Sequence, residues 1–138
     1  MKLDFTIPIC PAPKGRPKAV AFAGHARVYT PAKTAAYEAQ VALRAAEQLG
    51  GRLLSGPLVL HLHFVLPRPK SLCRRKDPEG QIPCDKRPDL DNLVKAVLDG
   101  LKAAWGDDAQ VYSMRAEKWY AAKGGAPCIG VTVWEEGA

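Results

Sequence analysis

The stretch "KRPDLDNLVKAVLDGLKAAWGDDAQV", residues 86–111, decides how this chain is to be read. Leu90, Leu93, Val94, Val97, Leu98 and Leu101 recur at helical spacing, which predicts a helix with one buried face. Asp91, Lys95, Asp99 and Lys102 fall on another face. Asp89 and Asp91 sit at the mouth of that helix, and Asp107-Asp108 follows beyond its far end. Yet the chain carries 20 Lys and Arg against 14 Asp and Glu, for a net charge of +6. A basic protein that collects acids at both ends of one helix calls for a physical reason.

Upstream, "RPKSLCRRKDPEGQIPCDKRP" at 68–88 is a basic loop. It is long for a compact domain, so it reads as a functional or mobile segment, or as a solvated insertion. Before it, "PLVLHLHFVLP" at 57–67 has strand composition and reads as a central strand. His61 and His63 alternate onto one face of it, and Leu60, Leu62 and Phe64 onto the other. Downstream, 109–120 and "CIGVTVWEE" both read as strands, with "KGGAP" as a turn between them. Their adjacency predicts an antiparallel hairpin.

At the N-terminus, "LDFTIPI" is a strand that stops at a proline cluster. "CPAPKGRPKAVAFAGHARVYT" is an extended basic loop with a short hairpin around Gly24. Thr30 offers an N-cap and Pro31 a first helical residue. The alanine-rich run 31–49 is therefore a helix, ended by Gly50-Gly51, with Tyr37, Val41, Ala45 and Leu49 as its buried stripe. The order is β-α-β-α-β-β. At 138 residues this is a single α/β (α+β) domain, 1–138, with a sheet and two main helices.

No stretch approaches the roughly 20 apolar residues of a membrane span. The first residues, "MKLDFTIPIC", lack the apolar length and cleavage site of a signal peptide. The expectation is an intracellular, cytoplasmic protein without a membrane partner. Net positive charge on a small domain points towards a polyanion, usually nucleic acid. None of the four cysteines forms a C-x-x-C pair, so a disulfide framework is not expected. Cys10 and Cys128 read as core residues, and Cys73 and Cys84 as loop residues. His61, His63, Cys73 and Cys84 could together ligate zinc, although their spacing is irregular.

Two readings of the acids compete. Asp89 or Asp91 could simply cap the helix, and Asp107 or Asp108 could start a turn. A cap needs only one carboxylate, however. If the strand after Asp108 runs back, Asp89, Asp91 and Asp108 could meet. Gathered carboxylates repel unless a cation lies between them, and oxygen ligands suit Mg²⁺ or Mn²⁺. Such a site can hydrolyse a phosphodiester. Lys95 lies one turn after Asp91, where it could neutralise charge in the transition state or merely form an i,i+4 ion pair. The phosphate backbone would then be held by Lys14, Arg16 and Lys18, by Arg74, Arg75, Lys76, Lys86 and Arg87, and by Lys118.

"RPDLDNLVKAVLDGLKAAWGDDAQV" resembles the signature of the RusA-type Holliday junction resolvases, a D-x-D-N-L-x-K helix start with a downstream D-D-x-Q-V. Asn92, Leu93, Lys95 and Gln110 all match. "PAPKGRPK" and "YTPAKTAAYE" look like the form common in phage and prophage relatives, so the resemblance spans most of the chain. It implies a small α/β fold, a symmetric homodimer and Mg²⁺-dependent endonuclease activity on four-way DNA junctions. It also implies that Asp89, Asp91 and Asp108 are the metal-holding catalytic carboxylates and Lys95 the catalytic lysine, with Asp107 a neighbour. Where relatives carry a histidine shortly before the first aspartate, this chain has Cys84. Two other classes remain open: a nuclease for other branched DNA, and a DNA-binding module without catalysis.

Overall fold

The computed structural model describes residues 2–14, 18–22, 25–29 and 32–136, giving only the backbone path of 18–22 and 25–29. In chain order the elements are β1 (Lys2–Ile7), β2 (Lys18–Phe22), β3 (His25–Tyr29), α1 (Ala32–Leu49), β4 (Leu58–Leu66), β5 (Ile82–Pro83), α2 (Leu90–Trp105), β6 (Val111–Tyr120) and β7 (Cys128–Glu135). Strands β2 and β3 form the short hairpin expected around Gly24. The N-cap assigned to Thr30 and Pro31 lies outside the described residues.

The other five strands make one mixed sheet in the order β1-β7-β4-β6-β5. Strand β4 is central, as its composition predicts. Its alternation splits the sheet into two faces. Leu60, Leu62 and Phe64 stand opposite Val133, Val131 and Ile129 of β7, and β1 adds Phe5 and Ile7 to the same face. Against them pack Val41 and Ala45 of α1 and Leu93, Val97, Leu101, Ala104 and Trp105 of α2, in one buried cluster. Each buried Val, Leu, Ile or Phe side chain among these contributes about 1.5–3 kcal/mol. The other face carries His61 edge-on to Trp134 and His63 stacked on Trp119.

The expected hairpin of the last two strands does not form. Strand β4 lies between them, parallel to β6 and antiparallel to β7. Strands two places apart are separated by about twice the 4.8 Å spacing, too far for a tight turn. Residues 121–127 bridge that gap, tied down by Ala121 N–H donating to the Leu66 carbonyl at 2.8 Å. The parallel β4–β6 pair needs a crossover, and the loop 67–89 with α2 provides it.

Two latches fix the layers. The Lys14 ammonium reaches Glu38 of α1 at 2.6 Å and Asp99 of α2 at 2.7 Å. Its hydrogen bonds to Asp99 and then to Glu38 raise its pKa. At the far end, buried Glu135 accepts the Ser55 backbone N–H at 2.8 Å and pairs with Arg52. The Ser55 N–H, with Arg52 as a lesser cause, holds the Glu135 carboxyl below the ordinary glutamate value of 4.5. A depressed carboxyl stabilises the fold above its unfolded pKa, and that contribution is lost as pH falls through the folded value. Glu135→Gln is therefore expected to melt below wild type at pH 7, with the difference shrinking at pH 3. Equal differences at both pH values would contradict the assignment.

A candidate metal and DNA site at the two ends of one helix

Asp89 is the N-cap residue of α2, with extended backbone (φ −68°, ψ 142°), but its side chain makes no capping hydrogen bond. Asp89 thus sits where a cap would, and can complement the helix dipole, but it does not make the hydrogen bond that defines one. Asp91 in the first turn and Lys95 one turn later are both exposed. Among the described residues no ion pair joins them, and neither has a side-chain partner.

Asp108 opens a single 3₁₀ turn, Asp108–Gln110, after α2. Its Oδ1 accepts the indole N–H of buried Trp105 at 3.1 Å, which orients one carboxylate oxygen. Asp107 caps this turn: it accepts the Ala109 N–H at 2.9 Å, and its own N–H donates to Gln110 Oε1 at 3.3 Å. Gln110 in turn donates to the Gly56 carbonyl at 3.1 Å. Asp107 is thus a turn former, and Gln110 anchors the turn to the segment before β4.

The 16 residues of α2 span about 24 Å at 1.5 Å per residue, so Asp89 and Asp91 stand at one end and Asp108 at the other. Among the described residues no group of three or more acidic, His or Cys side chains is placed to hold a metal ion. Strand β6 does run back along α2, as the convergence of the three acids requires, but Asp108 precedes it and stays behind. The residue that the strand carries to the Asp89 end is Lys118. Its ammonium donates to the Pro88 carbonyl at 2.8 Å and to the Lys86 carbonyl. Sequence reasoning took Lys118 for a phosphate contact, and nothing in "EKWYAAK" signals what its tip touches.

The zinc reading finds no support in this geometry. His63 is engaged by Glu117 at 3.3 Å and Gln81 at 2.8 Å, His61 packs on Trp134, Cys73 is exposed and Cys84 is buried. All four thiols are free, and Cys10 is exposed rather than in the core.

The basic loop is braced by one of its own side chains and by one from the segment 121–127. The Arg68 guanidinium donates to the carbonyls of Leu72, Gly80 and Pro78 at 2.8–3.0 Å, and Lys123 reaches the Arg74 carbonyl at 2.7 Å. Arg74 pairs with Asp77 through two nitrogens, and this partner holds the Asp77 carboxyl below its usual range. Arg75, Lys76, Lys86 and Arg87 are exposed. Arg16 and the side chain of Lys18 lie outside the described residues. A cleft of about 1120 Å³ opens beside Asp89, lined among others by Lys33, Tyr37, Arg87 and Asn92. Burial pushes the Tyr37 hydroxyl up to about 12.

A two-layer α/β domain with paired acids at both ends of its second helix and an ordered basic loop beside one of them is the class that these observations define. The profile described as "Endodeoxyribonuclease RusA" matches residues 8–133. The chain belongs to that family. It is 30% identical over 124 residues to the uncharacterized protein YqaN of Bacillus subtilis, covering 86% of this chain and 87% of that protein. It is 44% identical over 61 residues to the crossover junction endodeoxyribonuclease RusA of Escherichia coli K12, covering 43% of this chain and 49% of that protein. The same figures hold for the protein of that name in Shigella sonnei. The chain thus spans about half the length of these two RusA proteins. No helix among the described residues is long and apolar enough to cross a membrane.

Proposed function

We propose that this protein is a Mg²⁺-dependent endonuclease that resolves four-way DNA junctions as a two-fold homodimer, with Mn²⁺ an acceptable substitute. The reading rests on one observation: Asp89 and Asp91, whose side chains have no partner among the described residues, lie a full helix away from Asp108. Oxygen donors of this kind suit a hard divalent cation, and among the described residues neither end of one chain brings three of them together. A second copy with its α2 antiparallel to the first would bring Asp108 to Asp89 and Asp91. A two-fold axis makes that contact twice, so one association completes two sites, as paired nicks on a junction require.

When bound, the cation would supply electrostatic stabilisation of the phosphodiester and a water of lowered pKa. Asp89, Asp91 and the second copy's Asp108 would hold it. Lys95, without a side-chain partner among the described residues and one turn from Asp91, would offset the charge that builds on the attacked phosphate. Exposed Arg75, Lys76, Lys86 and Arg87 would grip neighbouring phosphates. Lys14 and Arg74 already have carboxylate partners, so a phosphate would have to displace one.

Subunit complementation tests the shared site. Asp91→Asn and Asp108→Asn are each expected to be inactive. Mixed, they would form heterodimers with one intact site, made of the first subunit's Asp108 and the second's Asp89 and Asp91. Nicking on one strand should then return. Two inactive variants that stay inactive when mixed would refute the shared site. Comparing four-way, flap and linear duplex substrates tests the junction reading, and equal rates on all three would defeat it.

A further inference from the structure

We infer that Lys118 is a positioning residue for Asp89, acting by clamping the backbone that delivers that carboxylate, rather than a contact to DNA phosphate. The inference rests on the metal-site reading above for its functional consequence, but its geometry stands alone.

Lys118 holds the segment 84–88 from both of its ends. Its backbone carbonyl accepts the Cys84 N–H at 3.2 Å. Its ammonium gathers the carbonyls of Lys86 and Pro88. Two of its three N–H donors are therefore committed to the protein. Both bonds are charge-assisted and stronger than neutral ones. The Pro88 carbonyl belongs to the peptide that enters Asp89, so fixing it fixes the plane from which the Asp89 side chain departs. Asp89 needs such support because its side chain makes no cap bond that would orient it. The strand that carries Lys118 is paired along its length with the central strand: in the parallel β4–β6 register Lys118 stands opposite Phe64, whose side chain is fully buried.

A positioning role and a phosphate contact differ in what they disturb. Groups that orient metal ligands typically change metal affinity by about 10–100-fold when removed. A phosphate contact instead weakens DNA binding and lowers its salt slope by about one charge. Lys118→Met keeps the aliphatic stem and removes the donors, and Lys118→Arg restores donors on the same side chain.

Three measurements on the full-length protein decide the matter. The first is the Mg²⁺ concentration for half-maximal single-turnover cleavage of a four-way junction. For Lys118→Met it should rise about tenfold or more, with partial recovery in Lys118→Arg. The second is metal-free junction affinity across salt, which should stay within about twofold of wild type with an unchanged slope. Wild-type Mg²⁺ dependence, or a loss confined to affinity and salt slope, would overturn the proposal. The third is amide hydrogen exchange across 84–89, which reads the clamp without any activity. Faster exchange there in Lys118→Met, with the core of β4 still protected, is the expected result, and unchanged exchange overturns the clamp. If the wild-type protein shows no Mg²⁺-dependent cleavage while exchange accelerates, the nuclease reading fails and the clamp stands.

Discussion

Asp91→Asn is expected to lower junction cleavage by about a thousandfold or more, because a cation site of this kind supplies several kcal/mol of transition-state stabilisation. Folding should be untouched, since Asp91 is exposed and has no partner among the described residues. Metal-free junction binding should be equal to wild type or slightly tighter, because a negative charge facing phosphate has been removed. The pair of readouts matters more than either alone. Lost cleavage with retained binding places Asp91 in the chemistry. Wild-type cleavage would remove Asp91 from the chemistry and, with it, the metal mechanism.

The second large effect lies in the helix interface. A Cβ built on Gly100 would sit 2.6 Å from Val41 Cβ and 3.0 Å from the Glu38 carbonyl oxygen. Neither neighbour can swing aside, because one is a backbone atom and the other a branched carbon fixed to the backbone of α1. Gly100→Ala gains about 1 kcal/mol of helix propensity, but it forces α1 and α2 apart around a closely packed core. Overpacking of this sort costs about 1–3 kcal/mol, occasionally more. Urea denaturation should show a lower midpoint at an unchanged m-value, and Gly100→Leu should be worse. Stability equal to or above wild type in Gly100→Ala would mean that the helices are not held at this distance.

Gly100 also marks the limit of what the sequence reveals. The period of Leu90, Leu93, Val97 and Leu101 announces α2 and its buried face, because a helix against a sheet must present such a stripe. Which helix meets it, and how closely, depends on residues far away in the chain. The same holds for the sheet. The composition of 57–67 identifies a central strand, yet sequential neighbours β6 and β7 suggest a hairpin by proximity alone. Nothing local says that β4 inserts between them. At the site, the motif residues Asp89, Asp91, Lys95 and Asp108 stand out in the sequence. Their separation follows from a helix that the sequence also predicts, and simple length arithmetic foretells it. The clamping role of Lys118 was not legible, since a lysine in a strand looks the same whether its tip meets solvent, phosphate or two carbonyls.

The framework that Arg68 builds within 68–88 has a thermodynamic consequence. A disordered segment that folds on its target gives up conformational freedom at that moment, and a large negative heat-capacity change reports the surface it buries. Here three carbonyls are already gathered by one guanidinium, so Arg75 and Lys76 project from a loop whose shape is set in advance. Association with DNA through this loop should then carry a small heat-capacity change and draw its favourable free energy from released counterions.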